Sequence, residues 1–196
     1  MNKSMDKEGS GNNVIEFERF SKPKREIGVA IDEVLKIARE SIGTDEMAEF
    51  KIATELYRVL LNFFAGHYAK EQNDTYEQGI SGYDSKNKIM VIGFGPFSDF
   101  NAFLVFLKSK AMLIPENLKR QLTVYVYEHD NAADSPGCKI DQNGFELVPN
   151  TSTFPDHDES FLPYDQTNVP PHEAEFRKLA DIRSELSQRL RAISIK

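Results

Sequence analysis

The feature that most constrains the fold is a strand–helix–strand pattern in the middle of the chain. Residues 88–92 form a short, nearly continuous apolar run, which is typical of a central strand covered on both faces. Residues 93–96 end that run, and residues 100–107 are apolar almost all round, as expected for a helix buried against a sheet. Residues 122–128 are rich in β-branched and aromatic side chains and predict a second strand. The pattern therefore predicts two parallel strands joined by a right-handed helical crossover.

Two helices are predicted before this unit. Apolar residues recur at helical spacing over residues 25–42, and a second helical stripe follows and ends near Lys70. Thr44 stands at the position expected for the cap of the second helix. Residues 71–88 are rich in Gly, Asn and Asp and predict a connecting loop.

The remainder of the chain is less regular. Residues 145–148 predict a third strand, whereas residues 149–171 contain five prolines and have no period, so they form either an ordered surface loop or a flexible segment. A final helix follows, with an apolar face made by Phe176, Leu179, Leu186, Leu190 and Ile193. Residues 1–13 offer no apolar cluster and are predicted to be a disordered tail, so residues 14–196 form one domain.

These elements predict an α/β fold. It is a Rossmann-like three-layer domain with a small, mainly parallel sheet, two N-terminal helices and a C-terminal helix. With 196 residues, such a domain buries enough surface to fold without a disulfide or metal, in agreement with its single cysteine.

Charge and targeting patterns narrow the functional classes. The net charge is −7, with 31 acidic and 24 basic residues, which argues against a nucleic-acid or anionic-membrane binder. The first 13 residues lack the apolar core of a signal peptide, and the densest apolar stretch, residues 97–107, is too short to span a bilayer. The single cysteine favours a reducing compartment, so the expected location is cytoplasmic or nuclear.

The glycine turn after the first strand of the unit is the candidate cofactor-binding site. Gly93 permits a tight turn, Gly95 lets the backbone approach a phosphate or ribose, and the amides near Ser98 open a helix that favours an anion. Glu128 ends the next strand, where an acidic side chain accepts hydrogen bonds from ribose hydroxyls. The pattern resembles a dinucleotide fingerprint.

Other residues of the same turn favour a purely structural role. Ser98 replaces the third glycine of the fingerprint, Pro96 removes an amide donor, and Phe94 and Phe97 crowd the approach. The alternative interpretation is therefore a tight strand-to-helix turn that binds no ligand.

Other chemistry-bearing residues carry simpler interpretations. The acidic run 156–159 is more typical of a solvated loop than of a metal site, and His129 is more typical of an exposed strand end than of a general base. Cys138 is predicted to be a free cysteine in a turn, and His67 to lie at the edge of the core. No catalytic and no metal-binding residue is predicted.

The residues of the central unit resemble a known family. Residues 89–95 with Pro96-Phe97-Ser98, a long apolar helix, and residues 124–128 resemble the core of the Sensitivity to Red Light Reduced domain. Glu128 and His129 stand where that family has Asp and Pro, so the chain is similar to a divergent or shortened member. The resemblance implies a regulatory protein on a Rossmann-like scaffold, linked to circadian, light or haem-related regulation and without established catalytic residues.

Two functions follow from these observations. The first is a non-enzymatic regulatory or interaction protein that acts through a protein partner. The alternative is an enzyme that binds a nucleotide or S-adenosylmethionine at Gly93, Gly95, Ser98 and Glu128. The sequence leaves the cofactor and the identity of the partner open.

Overall fold

The computed structural model describes residues 11–128, 136–148, 162–163 and 173–195. Its helices are α1 (Gly11–Ile42), α2 (Glu46–Gln72), α3 (Phe100–Lys110), the single-turn α4 (Glu116–Lys119) and α5 (Glu173–Arg191), with a 3₁₀ turn at Ala111–Leu113. Its strands are β1 (Glu77–Asp84), β2 (Ile89–Gly95), β3 (Thr123–Glu128), β4 (Gly137–Asp141), β5 (Gly144–Val148) and the two-residue β6 (Leu162–Pro163).

The strands form one open mixed sheet in the order β5-β4-β3-β2-β1-β6. Strands β2 and β3 are parallel and are joined through α3, as the central pattern predicts. The four other pairings described are antiparallel. The prediction of an α/β fold is confirmed, but the prediction of a mainly parallel sheet is wrong, because most pairings of the sheet are antiparallel.

The first reason is β1, which lies within the segment predicted to be a loop. Its sequence is rich in glycine and polar residues, so it lacks the apolar alternation by which strands are recognised. A hairpin turn pairs it with β2: the Asp84 carboxylate accepts hydrogen bonds from the backbone N–H groups of Lys86 and Asn87. Those N–H groups lower the pKa of Asp84, and Lys88 completes the turn with a positive φ of 55°.

The second reason is β4, which contains Cys138. The predicted turn at this residue is wrong, because Cys138 pairs with Val126 of β3 and is fully buried. The cysteine is free, and burial raises the pKa of its thiol far above the ordinary value. The predicted third strand is confirmed as β5, which forms a hairpin with β4.

The predicted helices are confirmed with different bounds. Helix α1 begins at Gly11 rather than Arg25, so residues 11–13 of the predicted tail belong to it, and residues 1–10 lie outside the described residues. On α5 the side chains of Leu179, Leu186 and Leu190 are buried. Across the described ranges, none of the helices combines the length and apolarity that crossing a membrane requires.

Helix α2 lies at the centre of the molecule. It contacts α1, α3, α5 and strand β2, and most of its side chains are buried. Met90, Ile92 and Phe94, which alternate along β2, join the same hydrophobic cluster as the helices. Val91, on the opposite face of β2, is buried outside that cluster. One face of the sheet therefore forms a continuous core with the helices.

Asp45, rather than the predicted Thr44, caps α2. Its Oδ1 accepts hydrogen bonds from the backbone N–H groups of Met47 and Ala48, both at 3.0 Å. Asp and Thr are both good capping residues, so the sequence alone does not distinguish them. Because α2 begins at Glu46, Asp45 occupies the capping position.

Replacing Asp45 with Ala is expected to lower the free energy of unfolding by about 1 kcal/mol, because two N–H groups lose their acceptor. Thr44→Ala is the matched control and is expected to change it by less than about 0.5 kcal/mol. Urea denaturation measures both values. Equal losses in the two variants would contradict the assignment of the cap.

Candidate functional site

The predicted site residues gather at one end of the sheet. Gly93 and Gly95 are among the last three residues of β2, and Ser98 lies just before α3. Glu128 is the last residue of β3 and pairs with Phe94. The structure thus brings the four residues into one region, and their role in binding stays a prediction.

Gly93 lies beneath an aromatic ring. It pairs with Tyr127 of β3, and a Cβ atom added to Gly93 would stand 2.9 Å from Tyr127 Cζ and 3.1 Å from Tyr127 Oη. Real Cβ atoms almost never approach another atom to less than 3.0 Å, so the contact with Cζ would force a shift. The missing side chain of Gly93 therefore makes room for the Tyr127 ring, and the space that a fingerprint glycine gives to a phosphate is already used.

Gly95 supplies the sharp change of direction at the end of β2. Its φ of 138° is a conformation that residues with a side chain rarely adopt. It is buried and pairs with Glu77 of β1, and a cis peptide bond joins it to Pro96. The requirement for glycine here comes from the backbone itself.

The start of α3 is occupied by carboxylates of the protein. The backbone N–H of Ser98 donates a hydrogen bond of 2.8 Å to Asp74 Oδ2. Asp99 caps the helix and accepts a hydrogen bond of 2.9 Å from the N–H of Ala102. A phosphate at this helix start would have to displace Asp74 and tolerate the negative charge of Asp99. The hydrogen bond from Ser98 lowers the pKa of Asp74, so this carboxylate stays ionised at neutral pH.

The two phenylalanines of the turn belong to the core. Phe94 and Phe97 are buried, and the Phe97 ring lies 4.5 Å from that of Phe103 on α3. Phe97 also stacks on Tyr76 at 5.4 Å and meets Tyr68 of α2 edge-on at 5.3 Å. These contacts fix the turn against α2 and α3. Edge-to-face and offset pairs of this kind contribute roughly 0.5–1.5 kcal/mol each beyond area burial.

The other residues singled out from the sequence do not form a second centre in the described part of the chain. His129 and residues 156–159 lie outside the described residues. His67 is partly buried with its ring 5.0 Å from that of Phe63, and burial lowers its pKa. Within the described ranges, no three His, Cys, Asp or Glu side chains are grouped so that they could hold a metal ion.

A groove between α2 and α5 is a feature that the sequence did not indicate. Its volume is about 450 Å³, and three arginines are prominent in its lining. The lining residues are Arg58, Val59, Asn62, Phe63, Tyr76, Arg183, Ser187, Leu190 and Arg191. The spacing of Arg183, Ser187 and Arg191 places them on one face of α5, which the sequence alone could have shown. That Arg58 of α2 faces the same groove depends on how the two helices pack.

A buried carboxylate lies behind one of these arginines. The Glu55 side chain is 5% exposed, and its Oε2 lies 3.2 Å from Nε of Arg183, without hydrogen-bond geometry. Burial raises the pKa of Glu55, and the charges of Arg183 and Arg58 oppose that rise. The positive charge of Arg183 therefore lies beside the buried carboxylate.

A second groove, between α1 and α5, differs in its charge balance. Its volume is about 490 Å³, and its lining combines acidic and basic residues. Arg189 pairs with Glu33, and Lys22 pairs with Glu26. Two of the three cations in this lining therefore have a carboxylate beside them in the same groove, and Arg25 is the third cation.

Replacing Gly93 with Ala is expected to lower the free energy of unfolding by roughly 1–3 kcal/mol, because the new methyl group overlaps the Tyr127 ring. Gly28→Ala is the matched control: a Cβ at this position of α1 meets nothing within 4 Å, so helix propensity predicts stabilisation of up to about 1 kcal/mol. A double-mutant cycle with Tyr127→Ala is expected to show a coupling of at least about 0.5 kcal/mol. Additive effects would contradict the proposed contact.

The contribution of Asp74 is expected to depend on pH. A carboxylate whose pKa is lowered by folding stabilises the folded state above its ordinary pKa, and that stabilisation is lost as the pH falls through the lowered value. The difference in unfolding free energy between the wild type and Asp74→Asn is therefore expected to be largest near neutrality and to shrink below about pH 4. Urea denaturation over this range measures it, and a difference independent of pH would contradict the assignment.

Comparison with models of protein families, with curated proteins and with solved structures finds no match to this chain.

Proposed function

We propose that this protein is a non-catalytic regulatory or interaction protein that uses its α/β scaffold to present surfaces to a protein partner. One observation supports this choice over the nucleotide-binding alternative. The groups that a nucleotide would need at the glycine turn already have partners within the protein: the Ser98 N–H is bound to Asp74, and the space above Gly93 is filled by Tyr127.

The energetics of the turn oppose a ligand there. A phosphate would replace a charge-assisted hydrogen bond that the fold already makes, so the exchange gains little. It would also approach the carboxylate of Asp99, which caps the same helix. A nucleoside without phosphates avoids that repulsion but still meets the Tyr127 ring over Gly93.

The wider proposal keeps the regulatory role that the family resemblance implies. Circadian, light or haem-related regulation in the cytoplasm or nucleus is the corresponding expectation. The buried thiol of Cys138 is compatible with a reducing compartment, because no second cysteine is present in the sequence to pair with it.

Titration with adenosine and with S-adenosylmethionine tests the proposal. Neither compound carries a phosphate, and adenosine carries no anionic group at all, so a response to adenosine reports on the glycine turn. We expect no saturable heat in calorimetry and a melting-temperature shift below about 1 °C, since a ligand at 100 times its dissociation constant would stabilise by roughly 2.7 kcal/mol.

Glu128→Ala is the matched variant for this experiment. Saturable binding to the wild type that is weakened in Glu128→Ala would overturn the proposal and restore the nucleotide or S-adenosylmethionine enzyme. A wild type that binds neither compound supports the scaffold function.

A further inference from the structure

We propose that the outer edge of strand β5 binds an extended segment of a protein partner as an additional strand, and that this segment has a basic residue between two apolar ones. The inference deepens the proposed function and rests on it, because it names the surface and the kind of partner. The strand order, the charges around Glu146 and the exposed side chains of Leu147 and Met112 carry it.

Strand β5 (Gly144–Val148) is the last strand on one side of the sheet. Among the described strands its neighbour is β4 alone, and the two pair in an uninterrupted register. A strand in this position presents backbone N–H and C=O groups to its outer side, and an extended peptide can pair with them as a further strand. The backbone of β5 therefore specifies an extended chain as the occupant of this edge.

The opposite edge of the sheet is built differently. It is formed by β6 (Leu162–Pro163), which has two residues, and one of them is a proline. Short edge strands and prolines are common features that prevent a further strand from pairing. Strand β5 has five residues and contains neither proline nor lysine, so its sequence retains the capacity to pair.

One face of β5 is apolar and incompletely covered. Leu147 pairs with the buried Cys138 of β4, so its side chain lies on the face of the sheet that carries the core. Phe145 packs against that core, whereas Leu147 is 57% exposed. The 3₁₀ turn contacts β5, and its Met112 is 49% exposed. Apolar side chains on an added strand would cover this surface.

The other face of β5 carries a local excess of negative charge. Glu146 pairs with Lys139 across the two strands, and their charged atoms are 2.7 Å apart. The Lys139 ammonium also lies 3.5 Å from the Asp141 carboxylate, so two anions share one cation. The Glu146 side chain is 64% exposed, against 14% for that of Asp141. A Lys or Arg opposite Glu146 on an added strand would balance the charge of this group.

The same charge distinguishes a protein partner from a second copy of this chain. Two antiparallel β5 strands that place Phe145 opposite Leu147 of the second copy also place the two Glu146 residues opposite each other. Like charges directly opposite one another destabilise a strand pair. A segment with an apolar–basic–apolar sequence instead gives favourable pairs at three successive positions. Charge complementarity therefore favours a different protein as the occupant.

Titration of the full, isotope-labelled chain with the peptide Thr-Ile-Lys-Leu-Thr, acetylated and amidated at its ends and followed by NMR, tests the proposal. We expect saturable shifts of the backbone amide resonances of β5, Lys139 and Met112. The peptide Thr-Ile-Glu-Leu-Thr differs only at the central charge and is expected to bind roughly three- to tenfold more weakly, because a like charge then faces Glu146. This difference is expected to shrink as the salt concentration rises.

Backbone methylation separates strand pairing from side-chain contact. The lysine peptide with every amide nitrogen methylated keeps its side chains but lacks the N–H donors that a strand pair requires. We expect it to cause no saturable shifts.

Two variants with matched controls locate the contact. Glu146→Lys is expected to invert the order of the lysine and glutamate peptides, whereas Glu40→Lys makes the same charge reversal at an exposed position of α1 and is expected to change either affinity by less than about twofold. Leu147→Thr removes the exposed apolar group and is expected to weaken lysine-peptide binding roughly two- to fivefold. Val29→Thr, at a position of α1 that is 50% exposed, is expected to change it by less than about twofold.

Absence of saturable shifts in the wild type at about 5 mM lysine peptide would overturn the proposal. So would equal affinities for the lysine and glutamate peptides, or undiminished binding of the methylated peptide. These comparisons use the wild type, so they stay informative if Glu146→Lys is unstable. Shifts of the β5 resonances with protein concentration alone would assign the edge to a second copy and would also overturn the proposal.

Failure at this edge is distinguishable from failure of the proposed function. Adenosine titration reports on the glycine turn and does not involve β5. A wild type that binds neither adenosine nor the lysine peptide keeps the scaffold function and loses only the assignment of β5 as its docking edge.

Discussion

The burial of α2 is the constraint on which the rest of the structure depends. This helix contacts strand β2 and α3 as well as α1 and α5, so its apolar residues cannot be confined to one stripe. Tyr68 of α2 connects the core to the glycine turn: its ring meets Phe97, and its hydroxyl donates to the Asp99 carbonyl at 3.1 Å. The same helix carries Glu55 and Arg58 to the groove with α5. The turn and the groove are therefore positioned by one element.

The antiparallel neighbours of the β2–β3 pair distinguish this sheet from the open parallel sheets in which a fingerprint turn binds a cofactor. In open parallel sheets, ligands bind where the crossovers of adjacent strands diverge to opposite faces. Here β2 is parallel to β3 alone, and its other neighbour, β1, precedes it and forms a hairpin with it through the turn at Asp84. A hairpin supplies no second crossover helix. Gly93 and Gly95 consequently serve the packing of Tyr127 and the turn itself.

Whether a helix or strand could be predicted depends on whether its sequence has a periodic pattern of apolar residues. The strand–helix–strand unit and the long helices are encoded by periodicity, so they could be predicted. Strand β1 is specified by pairing and by the Asp84 turn, and β4 by its place between two strands, and neither leaves a periodic trace. At the candidate site, the sequence pattern singled out the four residues but not the side chains that contact them. Asp74, which binds the Ser98 N–H, is 24 residues away in sequence, and Tyr127, whose ring lies against Gly93, belongs to the neighbouring strand. The arginine-lined groove required knowledge of how α2 packs on α5.

Charge in this protein has to be considered by region rather than as a total. The net charge of −7 disfavours a polyanionic partner, since binding nucleic acid requires an extended basic surface. Positive charge is nevertheless gathered locally, because three arginines line the one groove between α2 and α5. The buried Glu55 gives this arrangement a structural cost, because desolvation of its carboxylate is only partly offset by Arg183.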